Sequence, residues 1–428
     1  MAHRREVLPH RNAVSRPRIL VVGAGIVGLC AAWHLQRAGA QVTVVDRAGP
    51  GEGTSSGNAG AISQGSVAPL AMPGVLKSVP GMLLDPKGAL HIPPRAWPAA
   101  LPWLWRFVLA ARPERVQDIA EGMSQLLAGA ETRHREILRE EGAEELLRDE
   151  GQLYLYRDAA HLAKDESAWA LRREYGQRTE ILDRAGIEAL ENGISPDYTV
   201  GVFLPEQGHI LNPLRHARVV ARGVERLGGE IRRAEVTDLV TENGRVTGIR
   251  AGGETLLAEH VVLAAGTWSR DLLRRIGLDV PLIAQRGYHV MIPDPGLMPR
   301  RPLVPADRKA FVTPMEEGLR VAGTVEFGAN DAPPSPRRAA LLLDDLRKLL
   351  PGARAEGAKP FWMGHRPCLP DTLPVMGPVA ARPGLWCCFG HGHLGLTASA
   401  PAGAMLARAM LGPPANTDLS AFALERFA

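Results

Sequence analysis

Apolar positions along the chain fall into short runs and helical stripes that alternate. Ile19–Val22 is four apolar residues, mostly β-branched, and reads as a buried strand. A helical pattern follows and stops at Gly39, and a second apolar run, Val42–Val45, ends at Asp46. From 115 to 141, Val116, Ile119, Met123, Leu126, Leu127, Ile137 and Leu138 recur at helical spacing between charges, which predicts one amphipathic helix. Gln152–Tyr156 reads as a strand, and 158–175 as a charged helix. Asn212 followed by Pro213 predicts a capped helix start, with Gly228-Gly229 ending that helix. A strand is predicted from Glu230 to Leu239, a hairpin at Asn243-Gly244, and a further turn at Gly252-Gly253. The run from His260 is a buried strand ending in Ala264, Ala265 and Gly266. A β-meander therefore interrupts a parallel α/β pattern. Between 281 and 359, QRGYHVMIP and GLRVAGTVEF read as strands and SPRRAALLLDDLRKLLP as a short amphipathic helix.

Composition narrows the class. The 428 residues are enough for two ordinary domains. A net charge of +4, with no basic run and no zinc spacing, gives no support for nucleic-acid binding. Cys30, Cys368, Cys387 and Cys388 do not form a disulfide framework, which fits a reducing compartment. The basic N-terminus lacks an apolar signal core, so 1–16 read as a mobile leader, and no run of about 20 apolar residues predicts a membrane span. Trp97, Trp103, Trp105 and Phe107 lie among Arg95, Arg106 and Arg112, in either a core helix or a patch that rests on a membrane surface.

The chemistry begins at Gly23, Gly25 and Gly28, spaced G-x-G-x-x-G between strand and helix. Gly23 permits the turn, Gly25 lets a pyrophosphate approach the backbone, and Gly28 lets the helix pack on the strand. The N–H groups at the helix start, Ile26 and Val27, face the phosphates, and Asp46 accepts from a ribose. An acid there disfavours NADP and leaves FAD and NAD open; a purely structural βαβ unit is the alternative. The stretch GPGEGTSSGNAGAISQG is too rich in Gly, Ser and Asn for a regular element, and composition alone leaves it either a surface loop or a cofactor contact. His391 and His393 in a glycine turn lack a third ligand, so no metal is expected.

The N-terminal glycine motif, the acid ending the second strand and VVLAAGTWS after a meander resemble the two-domain FAD-dependent amine oxidoreductases that include D-amino-acid oxidase, glycine oxidase and sarcosine oxidase. Asn-Ala-Gly in the loop, with the proline-rich stretch after it, most resembles the bacterial D-amino-acid dehydrogenases. The resemblance covers roughly 17–425. It implies an α/β fold: a discontinuous Rossmann-like FAD-binding domain (17–90, 201–281 and 360–428) and a second domain of mixed β-sheet plus helix for the substrate (91–200 and 282–359). It implies FAD contacts at Arg47, at Thr54, Ser55, Asn58, Ala59 and Gly60, and at Val236, Ala265, Gly266 and Trp268. The second flavin turn would be GHGHLGLT, with Gly390, Gly392, His393, Leu394, Gly395 and Thr397. Gly-His-Arg-Pro follows the family's Gly-Leu-Arg-Pro, which makes Arg366 the ligand of the substrate carboxylate, helped by Tyr288. The positions of His289 and Cys368 would bear on substrate choice. Cys368 lies near the region where some relatives attach the flavin, but in a different motif, so non-covalent FAD is expected.

The implied reaction is oxidative deamination of a D-amino acid by hydride transfer to flavin N5, with electrons passed to a quinone or another acceptor. A hydroxyproline-type cyclic imino acid, use of O2 as in the oxidases, and a non-catalytic flavin subunit remain the alternatives. The expected location is the cytoplasm, with peripheral contact to the inner face of the membrane.

Overall fold

The structure, a computed structural model, describes residues 16–73, 90–328, 331–413 and 417–428. The expected leader lies outside the described residues except for Arg16.

Two large sheets organise the chain. The first runs Glu230–Arg233, Gln41–Asp46, Arg18–Val22, His260–Leu263, Leu385–Phe389 and Val375–Pro378, parallel except for the last strand. Its central strand, Arg18–Val22, carries the first apolar run and is buried on both faces, as a parallel strand must be. The helix Ile26–Arg37 and the C-terminal helix Gly395–Leu411 pack together on one face. They touch backbone to backbone, because a Cβ at Gly403 would stand 2.7 Å from the Cys30 carbonyl. The meander Val236–Glu242, Arg245–Ala251 and Glu254–Leu257 covers the other face. Its first turn has Asn243 and Gly244 at φ 49 and 78, the left-handed pair of a tight hairpin.

The second sheet has nine strands. Trp362–Cys368, Ile283–Ile292, Gly318–Phe327, Phe311–Met315, Leu303–Pro305, Gln152–Tyr156, Val200–Leu204 and Glu180–Leu182 follow one another, and Leu90–His91 pairs with Gly318–Phe327. The helix Pro336–Leu349 closes one face of this sheet. The pairing cuts across two of the boundaries drawn from the sequence. Val200–Leu204, straddling the limit at 201, pairs wholly with the second sheet, and Trp362–Cys368, beyond the limit at 360, forms its edge.

Three predicted elements are broken in two. The amphipathic stretch is two helices, Pro113–Leu127 and Ala130–Glu140, because Gly129 at φ 64 turns the backbone left-handed. The charged helix splits at Asp165 into Ala159–Lys164 and Glu166–Glu174. The strand from Glu230 ends at Arg233, where its partner ends at Asp46, and Val236–Glu242 then joins the meander. The Trp-rich stretch is a helix, Trp97–Ala110, with one side packed in the core and the other exposed. Trp103 is buried against Phe107 and Phe327, with its indole N–H donating to the Cys368 carbonyl. Leu101 and Trp105 on the other side are 56% and 65% exposed.

Candidate active site

A single cavity of 1210 Å³ runs from the N-terminal glycine motif to the second sheet. That exceeds the roughly 300–1,000 Å³ of a site for one small ligand. At one end, the three glycines have distinct jobs. A Cβ on Gly23 would fall 2.5 Å from the Ala264 oxygen, and one on Gly28 would fall 2.0 Å from the Gly23 oxygen. These two serve the close packing of turn, helix and strand. A Cβ on Gly25 would meet only Ser55 Oγ, at 3.4 Å, so its bare backbone is turned to the cavity. The Val27 backbone lines the wall beside it, while the Ile26 N–H donates to Ser55 Oγ at 3.0 Å. Asp46 accepts from the N–H groups of Ala24 at 2.7 Å and Ala48 at 2.8 Å, and so fixes both ends of the turn while lining the cavity. Next to it, the Arg47 guanidinium lies 4.0 Å over the Trp268 ring. Ala265, Gly266 and Val236 complete this end, and a Cβ at Gly266 would meet nothing within 4 Å.

The Gly- and Ser-rich loop is held by residues that sequence reasoning missed. Thr54 Oγ1 donates to the His365 carbonyl at 3.1 Å. The Arg320 guanidinium donates to the carbonyls of Ser56 at 3.1 Å and Asn58 at 2.6 Å, and His289 Nδ1 bonds the Gly57 carbonyl at 3.1 Å. His289 stacks on Trp362, and a Cβ at Gly57 would strike that indole at 2.2 Å. His289 therefore serves the loop, and Cys368 sits in a buried apolar cluster; neither lines the cavity. The loop is tied to the glycine turn Gly390–Gly395 as well: Thr397 Oγ1 donates to the Ala61 carbonyl and accepts from the Ser63 N–H, each at 3.1 Å. Asn58 and Ala59 line the cavity, whereas Gly60, at φ 80, shapes the loop behind it, with its N–H on Asn58 Oδ1. No local signal marks Arg320 or Trp362, because their contacts in the loop are more than 250 residues away in sequence.

At the far end, Gly390, Gly392, His393, Leu394 and Gly395 wall the cavity where the C-terminal helix begins. That helix starts at Gly395, so Thr397 lies in its first turn with N–H groups directed at the cavity mouth. His393 lines the cavity, where its accessible surface is exposed; desolvation by the surrounding walls, then the charges of Arg366 and Arg172, hold its imidazole down at about 4. Among the described residues no group of His, Cys, Asp or Glu is arranged to hold a metal.

Arg366 reaches in from the edge strand over Gly287, donating from Nη1 to the Thr324 carbonyl at 2.9 Å. Burial pulls its guanidinium below the ordinary arginine value, and among the described residues no carboxylate pairs with it. Tyr288, next to Gly287, follows strand alternation to the opposite face. Its hydroxyl donates to Glu326 at 2.6 Å and accepts from the Ser335 N–H at 2.9 Å. Glu326 also pairs with Arg286, at 2.7 Å. That hydroxyl is thus spent within the sheet-and-helix core rather than beside Arg366.

Comparison with known proteins converges on one family. A family profile described as FAD dependent oxidoreductase matches residues 18–409. A D-amino-acid oxidase from Bradyrhizobium diazoefficiens is 34% identical over 96% of this chain and 98% of its own. A D-amino acid dehydrogenase from Granulibacter bethesdensis is 30% identical over 96% of this chain and 100% of its own. Among solved structures, glycine oxidase from Geobacillus kaustophilus superposes with a TM-score of 0.74 at 20% identity, covering 96% of this chain and 100% of that one. The bare backbone at Gly25 and the length of the cavity fit the cofactor this family uses. With the glycine motif, the loop and the second turn all opening on one cavity, the chain belongs to the family of FAD-dependent oxidoreductases.

Proposed function

We propose that the protein is a dehydrogenase of D-amino acids, with Arg366 as the ligand of the substrate carboxylate. One observation carries this reading: a half-buried guanidinium without a carboxylate partner among the described residues opens on the cavity beside the glycine turn at Gly390–Gly395. A cation left in this state is matched by an anionic ligand that binds it bidentately. FAD, when bound, supplies the two-electron acceptor for the bond cleaved at the substrate's Cα.

The residues around Arg366 define its work. Gly287 leaves the space the guanidinium occupies, and the Thr324 carbonyl takes one N–H, so the remaining N–H groups are available to the carboxylate. Desolvation and the positive charge of Arg366 disfavour a substrate ammonium, so the amine gives its proton to solvent water as it enters. Tyr288 acts through the strand: its bonds to Glu326 and Ser335 hold the register that brings Gly287 under Arg366. The D preference follows the relatives named D-amino-acid oxidase and D-amino acid dehydrogenase. A quinone or similar acceptor fits the dehydrogenase relatives, and O2 fits the relative named an oxidase. Anaerobic bleaching of the purified flavoprotein over a panel of D- and L-amino acids tests the reading, and no bleaching with any of them refutes it. Peroxide release in air distinguishes oxidase from dehydrogenase.

The same reading includes peripheral membrane contact through the outer face of Trp97–Ala110. Leu101 and Trp105 are exposed there, with Arg106 beside them, an arrangement suited to the headgroup region. Among the described residues no helix is long and apolar enough to cross a membrane.

A further inference from the structure

The cavity holds a second arginine that the proposed chemistry does not use. Arg172, on the helix Glu166–Glu174, lines the same cavity as Arg366. Its guanidinium lies 4.3 Å from the Trp169 ring centroid and 5.3 Å from that of Tyr154. Cation–π attraction to the two rings holds the guanidinium without using its N–H groups. Its Nε is buried with no hydrogen-bond partner, and among the described residues it forms no ion pair. The acid at the start of its helix, Asp165, is occupied by the Tyr156 hydroxyl at 3.0 Å. Lys164 and Lys309 line the cavity too. The charges of both arginines lower the pKa of His393, in the glycine turn that lines the same cavity.

The sheet sets the distance between the two cations. The Arg366 guanidinium sits over Gly287 on Ile283–Ile292 and bonds Thr324 on the next strand; Tyr154, near which Arg172 lies, is three strands beyond Thr324 and four beyond Gly287. At about 4.8 Å per strand, that is roughly 14–19 Å along the sheet. An arginine–carboxylate pair takes up about 4 Å at each end, which leaves about 6–11 Å between two carboxyl carbons. An extended glutamate spans about 5 Å between its carboxyl carbons, and aspartate spans about 4 Å.

We propose that Arg172 is a specificity residue that binds a second, side-chain carboxylate, and that the substrate class is an acidic amino acid at least as long as glutamate. This rests on the assignment of Arg366 to the α-carboxylate. Cation–π contact with Trp169 and Tyr154 keeps Arg172 in place when no substrate is bound.

Steady-state kinetics of the FAD-loaded full chain with a dye acceptor test it, comparing D-glutamate with D-norvaline, which has the same chain length and no second charge. Wild type should favour D-glutamate at least about 10-fold in kcat/KM. Arg172→Met should cost D-glutamate about 100-fold and change D-norvaline less than about 3-fold, and Arg172→Lys should recover part of the loss. Equal use of the two substrates by wild type, or an equal loss on both in Arg172→Met, overturns the proposal. Competition by glutarate against butyrate on the wild-type enzyme gives the same comparison without a variant: glutarate should bind at least about 10-fold tighter, and equal inhibition overturns the proposal. If D-norvaline bleaches the flavin and D-glutamate does not, only this proposal fails. If no amino acid bleaches it, the assignment beneath it fails.

Discussion

Gly287 lies directly beneath the guanidinium of Arg366: a Cβ at position 287 would stand 2.2 Å from Arg366 Cζ and 2.2 Å from Nη2. Two strands paired in register, Gly287 opposite Gly364 and Gln285 opposite Arg366, produce this contact. Gly287→Ala should push the guanidinium from its place without touching the FAD contacts. We expect KM for the amino acid to rise about 100-fold at near-constant flavin content, with Arg366→Leu giving at least as large a rise. Steady-state kinetics together with the flavin-to-protein absorbance ratio check both variants, and unchanged kinetics in Arg366→Leu would refute the carboxylate role.

The glycines of the N-terminal motif should separate into folding and binding. Gly28→Ala drives a methyl to 2.0 Å from a backbone oxygen and should leave little soluble protein. Gly25→Ala meets only a hydroxyl at 3.4 Å, so it should fold and lose FAD affinity by about 10-fold or more. Titrating the flavin-stripped variants with FAD by fluorescence distinguishes the two.

Tyr288→Phe removes one bond donated to a buried carboxylate and one accepted from a backbone N–H. Buried bonds of this kind are worth about 1–3 kcal/mol. The variant should melt several degrees lower while KM for substrate moves less than about 3-fold. A large KM rise with an unchanged melting temperature would instead put the hydroxyl on the substrate.

Stability should fall on the acid side. Burial holds His34 and His134 at about 4 and His289 at about 3, all below the ordinary histidine value. In the unfolded chain these rings take up protons near the ordinary value of about 6.5, so the unfolded state binds more protons between there and the folded values. Their contribution is complete above about pH 6.5 and is lost as pH falls toward 4. Melting temperature measured from pH 7.5 to 4.5 should therefore decline, and His134→Gln should shallow the decline. A flat profile in wild type would contradict the assignment.

Membrane contact predicts that part of the protein sediments with membranes after gentle lysis, and that Trp105→Ser, at a residue 65% exposed, shifts it to the supernatant without lowering specific activity. Wild-type protein wholly in the supernatant would remove this part of the reading.

What the sequence determined by itself was local. The strand at Ile19–Val22, the glycine turn, Asp46, the cap at Asn212 and the hairpin at Asn243 depend on contacts within a few residues, and the pattern records those directly. Resemblance added the loop and the second turn, and the cavity gathers them. The breaks at Gly129 and Asp165 were less legible, because hydrophobic period persists across a turn that only the backbone angle reveals. Tertiary structure alone decided which face of a strand each residue takes. It turned Tyr288 onto Glu326, set Gly287 under Arg366, and brought Arg320 and Trp362 to the Gly- and Ser-rich loop. It also put Arg172 into the same cavity as Arg366, although 194 positions separate them in the chain (366 − 172). Register and sheet order set these relations, and both come from pairings between distant segments, which no local pattern of apolar and polar residues encodes.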